Sequence, residues 1–333
     1  PDFLRKALKG VDVVINCAIN MNGTRRFAIN NTRAIARNSA LIAGELGIKR
    51  FIQISTIAVH GVFLGRKGDP LRLDPIRSTY ALAKRYSEED VLRECKKSAI
   101  DSVILRIGHI YGPYALGWTI GQRDLVRSDL LLSVDQWRNP SNTVFIDNVI
   151  DAIISAVEYP AQIDGQVFYI TDIPNKTWYE FYKPFFLFEQ KDINQVPNIS
   201  FEDFKEKMKN YQKNTFYQMI KFTQELIRPV SHKDHLRAIR EKREYQKLFN
   251  TIENIIPEKL FRHFKKILNR KSVSTGTFSK DLALNGIQFD MACSYASSAE
   301  IPTTEAVVKL GYRPSFDYNK AQQITVHWLK SLE

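Results

Sequence analysis

Two patterns of apolar positions alternate along the first 172 residues. Short apolar runs rich in β-branched residues predict strands at residues 11–17, 49–55, 101–106, 143–146 and 166–171. Apolar residues at helical spacing predict helices at residues 25–46, 78–97 and 148–158. Because strand and helix alternate, the pattern predicts βαβ units and a parallel sheet with helices on both faces.

The first ten residues have the pattern of the end of a helix. Apolar and basic residues run to Lys9, and Gly10 follows as a helix C-cap. The chain has no initiator Met, and it opens inside this helical pattern. We therefore expect earlier elements to be missing, and the predicted sheet to be incomplete at its N-terminal side.

The character of the sequence changes after residue 172. Residues from Pro174 onward are rich in aromatic and then in basic side chains. We predict a first domain at residues 1–172, within which the loop-rich stretch 107–142 contributes to a substrate site. A smaller, mostly helical second domain is predicted at residues 173–333, with a basic helical insert at 201–271.

The overall composition is that of a soluble globular protein. Apolar residues make up 44% of the 333 residues, and charged residues make up 25%. The sequence has no apolar run long enough to span a membrane and no signal-peptide pattern. The three cysteines are widely spaced, and no Cys/His cluster has zinc-like spacing. These features predict a cytoplasmic protein without a metal site.

The net charge of +12 is concentrated in the insert. Residues 201–271 hold 18 Lys and Arg against 9 Asp and Glu, a net charge of +9. Within it, residues 257–268 form an amphipathic basic pattern, which favours a helix packed on the second domain and leaves open a peripheral site on an anionic membrane. No motif for nucleic-acid binding is present, so we expect no nucleic-acid partner.

A candidate catalytic group lies between the second strand and the following helix. Ser55 and Thr56 end the strand, and Tyr80 and Lys84 are four residues apart near the helix start. Residues at this spacing share one helix face. Ligands of parallel sheets bind at the carboxyl ends of the strands, where Thr56 is expected. A hydroxyl, a phenol and an ammonium group would then meet, as proton transfer beside a carbonyl or alcohol requires.

The Tyr-x-x-x-Lys spacing is not specific by itself, since Tyr179/Lys183 and Tyr217/Lys221 share it. Only the first pair belongs to an ordered set of motifs. The set consists of Asp12–Ala18, Ile48–Phe51, Ser55-Thr56, Tyr80-x-x-x-Lys84, Leu105-Arg106, Ile110–Pro113 and Phe145–Asp147. In this order the motifs resemble the extended short-chain dehydrogenase/reductases, which include NAD-dependent sugar-nucleotide epimerases and dehydratases and 3β-hydroxysteroid dehydrogenases. The resemblance covers residues 1–172 and returns at 303–332, where Leu310–Pro314 is similar to the family's closing motif.

The resemblance implies a Rossmann-type doubly wound parallel sheet, a bound NAD or NADP, and a catalytic role for the three residues. Tyr80 would exchange the proton while hydride moves between substrate and nicotinamide. Thr56 would hydrogen-bond the reacting oxygen. Lys84 would hold the nicotinamide ribose and lower the pKa of Tyr80. A non-catalytic dinucleotide-binding protein that kept the fold is the alternative.

Further site residues are implied by the same resemblance. Cofactor contacts are expected at Cys17, Ala18, Ile54, Ile107 and Ile110, in addition to Tyr80 and Lys84. Substrate contacts are expected at Asn31, His60 and Arg138. His60 stands where many relatives have Tyr, and a structural role is the favoured alternative for it. A homodimer is a further expectation.

The chain departs from the family at both ends of the predicted site. It holds no Gly-x-x-Gly-x-x-Gly phosphate loop, so either the sequence is truncated, which we favour, or the dinucleotide is not held normally. The substrate of many relatives is a nucleotide sugar, but Pro140–Asn142 replaces their diphosphate-binding Arg. A hydrophobic alcohol or ketone therefore stays open as the substrate. Ile57 and Ala58 replace the acidic pair of dehydratases, which disfavours 4,6-dehydration.

Overall fold

A computed structural model describes residues 2–22, 25–73, 78–206 and 286–333. Its strands are β1 Val13–Asn16, β2 Arg50–Thr56, β3 Asp101–Ile107, β4 His109–Tyr111, β5 Ser133–Val134, β6 Thr143–Phe145, β7 Gln166–Ile170 and β8 Asn198–Ile199. Its helices are α1 Asp2–Leu8, α2 Arg25–Glu45, α3 Thr79–Lys97, α4 Gly121–Arg127, α5 Ile146–Glu158, α6 Trp178–Phe188, α7 Gly286–Ala296, α8 Thr304–Lys309 and α9 Tyr318–Lys330.

A parallel sheet with the strand order β1-β2-β3-β7 forms the centre of the molecule. Ile15 pairs with Ile52, and Thr56 pairs with Ile107. The carboxyl ends of β2 and β3 therefore lie side by side. This topology confirms the predicted Rossmann-like α/β fold, and it places Thr56 at the edge where such sheets bind ligands.

Helices pack on the two faces of the sheet, and each face has its own apolar core. In one core, Phe51 and Ile48 pack with small residues of α2 and with Val91 of α3. In the other, Ile52 and Leu105 pack with α5 and with the segment around Tyr312. Side chains alternate between the faces of a strand, which is why Phe51 and Ile52 belong to different cores.

The sequence located most of these elements correctly. Helix α2 begins and ends within one residue of its prediction, and α3 begins one residue later because Ser78 is its N-cap, accepting a hydrogen bond from the Ala81 N–H. Residues 107–142, which the sequence predicts to be loop-rich, also contain the short elements β4, β5 and α4. Their glycines suggested turns, but Gly112 is required by close packing: a Cβ there would lie 2.8 Å from Ile146.

The prediction of a buried strand at residues 11–17 was only partly correct. Strand β1 forms, and Val14 packs in the core, but Ile15 is 43% exposed. Among the described strands, β1 has β2 as its one neighbour, so it lies at the edge of the sheet. A run of β-branched residues predicts a strand, but it does not show how many neighbours cover that strand.

The C-terminal part of the chain packs back on the sheet. Ala306, Leu310 and Tyr312 belong to the same core as strands β3 and β7. The described residues belong to one compact unit, which contains both the N-terminal part of the chain and Gly286–Glu333. The boundary at residue 172 stays a prediction, and residues 207–271 of the basic insert lie outside the described residues.

The described residues also bear on two general expectations. None of their helices is both long and apolar enough to cross a membrane. They contain no group of His, Cys, Asp and Glu side chains arranged to hold a metal ion. Among the three cysteines, Cys17 is exposed, and Cys95 and Cys293 are buried.

Candidate active site

The predicted catalytic residues lie at the carboxyl end of β2 and the start of α3. Thr56 is the last residue of β2, and its Oγ accepts a hydrogen bond of 3.2 Å from the Ala58 N–H. The Thr56 hydroxyl also lies close enough to the Tyr80 phenol to lower its pKa. Tyr80 is the second residue of α3, where capping by Ser78 fixes the first turn. The structure thus brings the predicted hydroxyl and phenol together.

Lys84 completes the group from one helical turn further along α3. Its side chain is buried, and Nζ donates a hydrogen bond of 3.0 Å to the Ile54 carbonyl oxygen. Burial lowers the pKa of Lys84, while the nearby Cys17 and Glu88 raise it. An ammonium group has three donors, and this is the one hydrogen bond that the described residues offer it.

The predicted effect of Lys84 on Tyr80 is not found. Burial raises the pKa of the Tyr80 phenol, and the Thr56 hydroxyl lowers it in part. Lys84 is not among the groups that shift this pKa, and its ammonium group donates to the Ile54 carbonyl oxygen. The expectation of a lowered Tyr80 pKa was therefore wrong for this structure.

The carboxyl end of β1 forms the neighbouring wall. Asn16 Nδ2 donates to Gln53 Oε1 at 2.8 Å, which ties the end of β1 to β2. The Ala18 N–H donates to Asn16 Oδ1 at 3.2 Å and turns the chain beyond the strand. Cys17 lies between them with an exposed thiol, close enough to influence the pKa of Lys84. Two predicted cofactor contacts, Cys17 and Ala18, are thus beside the group.

A buried ion pair lies beneath the catalytic residues. Glu88, one turn beyond Lys84, accepts hydrogen bonds from Arg106 at 2.7 and 3.0 Å. Its carboxylate also accepts a 2.5 Å hydrogen bond from Ser55 Oγ. This network links α3, β2 and β3 directly under Thr56. Sequence reasoning missed it, although Glu88 follows Lys84 at helical spacing and was therefore identifiable as a residue of the same face.

His60 extends this network to the loop after β2. Its Nε2 lies 2.9 Å from the Tyr169 hydroxyl, and its Nδ1 lies 3.0 Å from the Arg72 carbonyl oxygen. The carbonyl can only accept, so Nδ1 carries the proton and Nε2 accepts from Tyr169. Burial lowers the pKa of His60, and the Arg106 guanidinium lowers it further. Both ring nitrogens have protein partners, which favours the structural role of this residue over a substrate contact.

The ends of β3 and β4 supply the opposite wall. Ile107 pairs with Thr56, and Ile110 lies in β4. Between them, Gly108 permits a close backbone crossing, since a Cβ there would lie 2.3 Å from the Asn142 carbonyl oxygen. Both predicted contacts of the 107–110 stretch are therefore at the carboxyl edge of the sheet, in keeping with a backbone-lined cofactor site.

Asn31 lies on α2 and lines an open depression together with Arg26, Phe27, Asn30 and Ala34. None of the three predicted catalytic residues lines this depression. The substrate role of Asn31 stays a prediction.

Arg138 follows a turn with unusual backbone geometry. Asp135, Gln136 and Trp137 all have positive φ angles, of 49°, 55° and 57°. Each such conformation costs an L-residue roughly 1–2 kcal/mol. The turn is held by two hydrogen bonds of 2.8 Å, from the Gln136 N–H to Asn198 and from the Phe201 N–H to Asp135. It presents Arg138 with an exposed guanidinium, which donates to the Gln136 side chain.

The sequence of the chain matches one known protein family. Residues 1–170 match the family model described as the NAD dependent epimerase/dehydratase family. The matched stretch is half of the chain, and it contains Thr56, Tyr80, Lys84 and the network of Glu88, Arg106 and His60. The chain belongs to this family.

Known members share sequence and fold with it to different degrees. UDP-glucose 4-epimerase of Vibrio cholerae is 28% identical over 180 residues, which are 50% of this chain and 53% of that protein. The chain therefore spans about half the length of this curated relative. This member of the epimerase/dehydratase family is thus related in sequence to an epimerase over 180 residues.

Solved structures show the family fold over nearly the whole chain. UDP-glucuronic acid 4-epimerase from Bacillus cereus, in complex with UDP-glucuronic acid and NAD, has a TM-score of 0.57 at 16% identity, covering 99% of this chain and 79% of that one. The dTDP-glucose 4,6-dehydratase DesIV from Streptomyces venezuelae, with NAD and TYD bound, has a TM-score of 0.56 at 15% identity, covering 99% and 76%. At these identities the likeness establishes the fold.

Proposed function

We propose that this family member is an NAD(P)-dependent epimerase that acts on a nucleotide sugar by hydride transfer, with Tyr80 as the acid and base. The observation that carries the proposal is the group of Thr56, Tyr80 and Lys84 at the carboxyl edge of a parallel sheet. The sequence relative from Vibrio cholerae is a UDP-glucose 4-epimerase, which favours epimerisation.

The site suits the nicotinamide half of a dinucleotide. Lys84 has two N–H groups beyond its bond to Ile54, and these donors fit the hydroxyls of the nicotinamide ribose. Backbone at Cys17, Ala18, Ile107 and Ile110 would line the same place, as would Ile54. When bound, the nicotinamide accepts and returns hydride. The sequence contains no Gly-rich loop for the pyrophosphate. The isotope experiment therefore includes both NAD and NADP.

Tyr80 is held ready to donate a proton. Because burial raises its pKa, the phenol stays protonated at neutral pH and can donate to a substrate carbonyl oxygen. The nearby Thr56 hydroxyl favours the phenolate, which the reverse transfer from an alcohol requires. Thr56 thus partly offsets the effect of burial on the pKa of Tyr80.

Arg138 is the proposed contact for the anionic part of the substrate. Its guanidinium is exposed, and a planar fork of donors suits a diphosphate. The strained turn before it is held by Asn198 and Asp135, so the position of Arg138 is built into the fold. A 4,6-dehydratase is disfavoured, because Ile57 and Ala58 supply no acidic side chain after Thr56.

Isotope retention tests the proposed reaction. The protein is incubated with NAD or NADP and with UDP-glucose or UDP-glucuronic acid deuterated at carbon 4 of the hexose, and the products are separated and analysed by mass spectrometry. The proposal predicts the 4-epimer with its deuterium retained, because the hydride leaves and returns at one carbon. Loss of deuterium to solvent would contradict hydride transfer. Turnover of a hydrophobic alcohol or ketone instead would favour the alternative substrate class.

Two assembly proposals follow from the sequence. The basic insert 201–271 would contact anionic membranes, and the chain would pair as a homodimer. Co-sedimentation with phosphatidylserine vesicles at low and high salt tests the first, since electrostatic binding weakens as ions screen it. Sedimentation equilibrium tests the second, and a monomer mass at all concentrations would contradict it.

A further inference from the structure

Residues 294–301, which we call the strap, run from the end of α7 toward α8. They contact the surroundings of both groups that the proposed function uses, the catalytic group at Thr56 and the exposed guanidinium of Arg138. The strap lies beyond residues 1–170, which match the family model. Its contacts are therefore a feature of this chain that the family match does not cover.

One end of the strap holds the residues on both sides of Arg138. The Tyr295 ring centroid lies 5.6 Å from that of Trp137, and the Asn139 Nδ2 donates a hydrogen bond of 2.8 Å to the Tyr295 carbonyl oxygen. Trp137 and Tyr295 are both buried, and the Tyr295 hydroxyl lies 2.6 Å from that of Tyr182. The backbone at Arg138 is thus fixed from both sides, while its side chain stays exposed.

The other end of the strap packs beside Thr56. Ile57 directly follows Thr56 and is buried in one apolar cluster with Leu64 and with Ala299 and Ile301 of the strap. Thr56 is the N-cap of the short turn that Ile57 begins. The placement of the Thr56 hydroxyl therefore depends on the packing of this turn, to which the strap contributes two side chains.

Hydrogen bonds fasten the loop after this turn to the strap. Ser297 Oγ accepts from the Leu64 N–H at 2.9 Å, and Ser298 Oγ accepts from the Lys67 N–H at 2.9 Å. Ser297 is only 1% exposed, so water cannot readily replace its hydroxyl as a partner. The loop is thus held by the same segment that holds the neighbours of Arg138.

Asn142 ties the middle of the strap to the residues before β6. Its Nδ2 donates to the Ala299 carbonyl oxygen at 3.2 Å, and its Oδ1 accepts from the Ile301 N–H at 3.0 Å. Asn142 is itself buried. The strap is therefore fixed between its two ends, and a displacement at one end has little freedom to be absorbed before the other.

We propose that the strap is a positioning element of the substrate site, which fixes the loop after Thr56 relative to Arg138. One nucleotide sugar then reaches the catalytic group with its hexose and Arg138 with its diphosphate. The inference rests on the proposed function. The strap residues act through Thr56 and Arg138 and do not touch the substrate. The loop end of the strap should therefore affect the reaction of the hexose, and the other end should affect the binding of the diphosphate.

Kinetic constants of variants at the loop end test this role. Ser297→Ala removes the acceptor of the Leu64 N–H, and Ser298→Ala, at a less buried position, is the second variant in case the first fails to fold. With NAD, we expect kcat/KM for UDP-glucose epimerisation to fall roughly 3- to 10-fold, as for one lost hydrogen bond. The inhibition constant of UDP, which lacks the hexose, should not change. Ser331→Ala removes a hydroxyl at the exposed end of α9 and should behave as wild type.

A variant at the other end gives the opposite pattern. Asn139→Leu removes the donor to the Tyr295 carbonyl oxygen at similar side-chain size, and it should weaken UDP and UDP-glucose by the same factor. In an Arg138→Gln background the same substitution should weaken UDP no further, because its effect passes through Arg138.

Three results would overturn the role of the strap while epimerisation by the wild type upholds the proposed function. They are wild-type kcat/KM in both serine variants, an equal loss for UDP in those variants, and an additive loss in the Asn139→Leu, Arg138→Gln double variant. Absence of epimerisation by the wild-type protein would overturn both proposals.

Discussion

At the scale of single residues, the chain contains a second Tyr-x-x-x-Lys pair that can be compared with the predicted catalytic pair. Tyr179 and Lys183 repeat the spacing of Tyr80 and Lys84, but Lys183 lies exposed on α6. Spacing alone therefore could not separate the two pairs. Their surroundings separate them, because Lys84 is buried against the Ile54 carbonyl at the carboxyl edge of the sheet.

Lys84→Met is expected to weaken NAD binding. The buried ammonium is the proposed donor to the nicotinamide ribose, and hydrogen bonds from charged groups contribute about 1.5–3 kcal/mol. The dissociation constant measured by fluorescence titration should rise roughly 10- to 100-fold. Lys183→Met should bind NAD like wild type. Equal affinities in Lys84→Met and wild type would remove Lys84 from the cofactor site.

His60 should make stability dependent on pH. Its pKa is lowered in the folded protein, so the unfolded chain binds more protons around the usual histidine pKa of about 6.5. Stability is then complete above that value and is lost as the pH falls toward the folded pKa. His60→Gln should show a shallower decrease in unfolding free energy between about pH 7 and pH 5, measured by urea titration. The same slope as wild type would contradict this.

At the scale of elements, the sheet and its main helices were predictable because periodicity reports burial directly. Helix α2 and strand β3 lie where the pattern placed them. Strand β4 and the left-handed turn before Arg138 were not predictable, since tertiary contacts of Asn142, Asn198 and Phe201 impose them. Contacts between residues far apart in sequence leave no local pattern.

The side chain of Arg50 joins strand β3 to the end of helix α5, which are far apart in the sequence. Its guanidinium donates to Asp101 at 2.7 Å and to the carbonyl oxygens of Ala156, Tyr159 and Ala161 at 2.6–2.8 Å. It thereby caps the end of α5, whose last carbonyls have no partner within the helix. The neighbouring Lys49–Asp12 pair, by contrast, is exposed on both sides.

Arg50→Met should therefore destabilise the protein strongly. Removing one partner of a buried ion pair costs about 3–5 kcal/mol, and denaturant unfolding measures the change. Lys49→Met is the matched control, because an exposed pair contributes at most about 1 kcal/mol. Similar losses in the two variants would show that the buried network does not hold α5.

At the scale of the whole molecule, the predicted order of motifs was the most informative signal. It identified the family from residues that the fold brings to one edge of the sheet, although they are separated by up to 90 positions, from Cys17 to Ile107. It did not reveal the supporting layer of Glu88, Arg106 and Tyr169. Those groups act through an ion pair and hydrogen bonds between residues far apart in sequence, and their side-chain types are common in any sequence.

The proposed substrate is also considered at the scale of the whole molecule, because it would contact residues on several helices and strands at once. Tyr80 lies on α3, and Arg138 lies before β6. A helix cap sets the first position, and a turn of positive φ angles sets the second. A single nucleotide sugar that contacts both residues is the substrate that the proposed function requires.

The turnover of Tyr80→Phe tests the central claim most directly. The variant keeps the ring and removes only the hydroxyl, and 4-epimerisation of UDP-glucose or UDP-glucuronic acid is measured in the presence of NAD, with Tyr179→Phe as the matched control. Removal of the proton donor and acceptor should lower the rate roughly 100- to 10,000-fold, with NAD still bound and Tyr179→Phe as active as wild type. A Tyr80→Phe protein that epimerises at the wild-type rate would contradict the account.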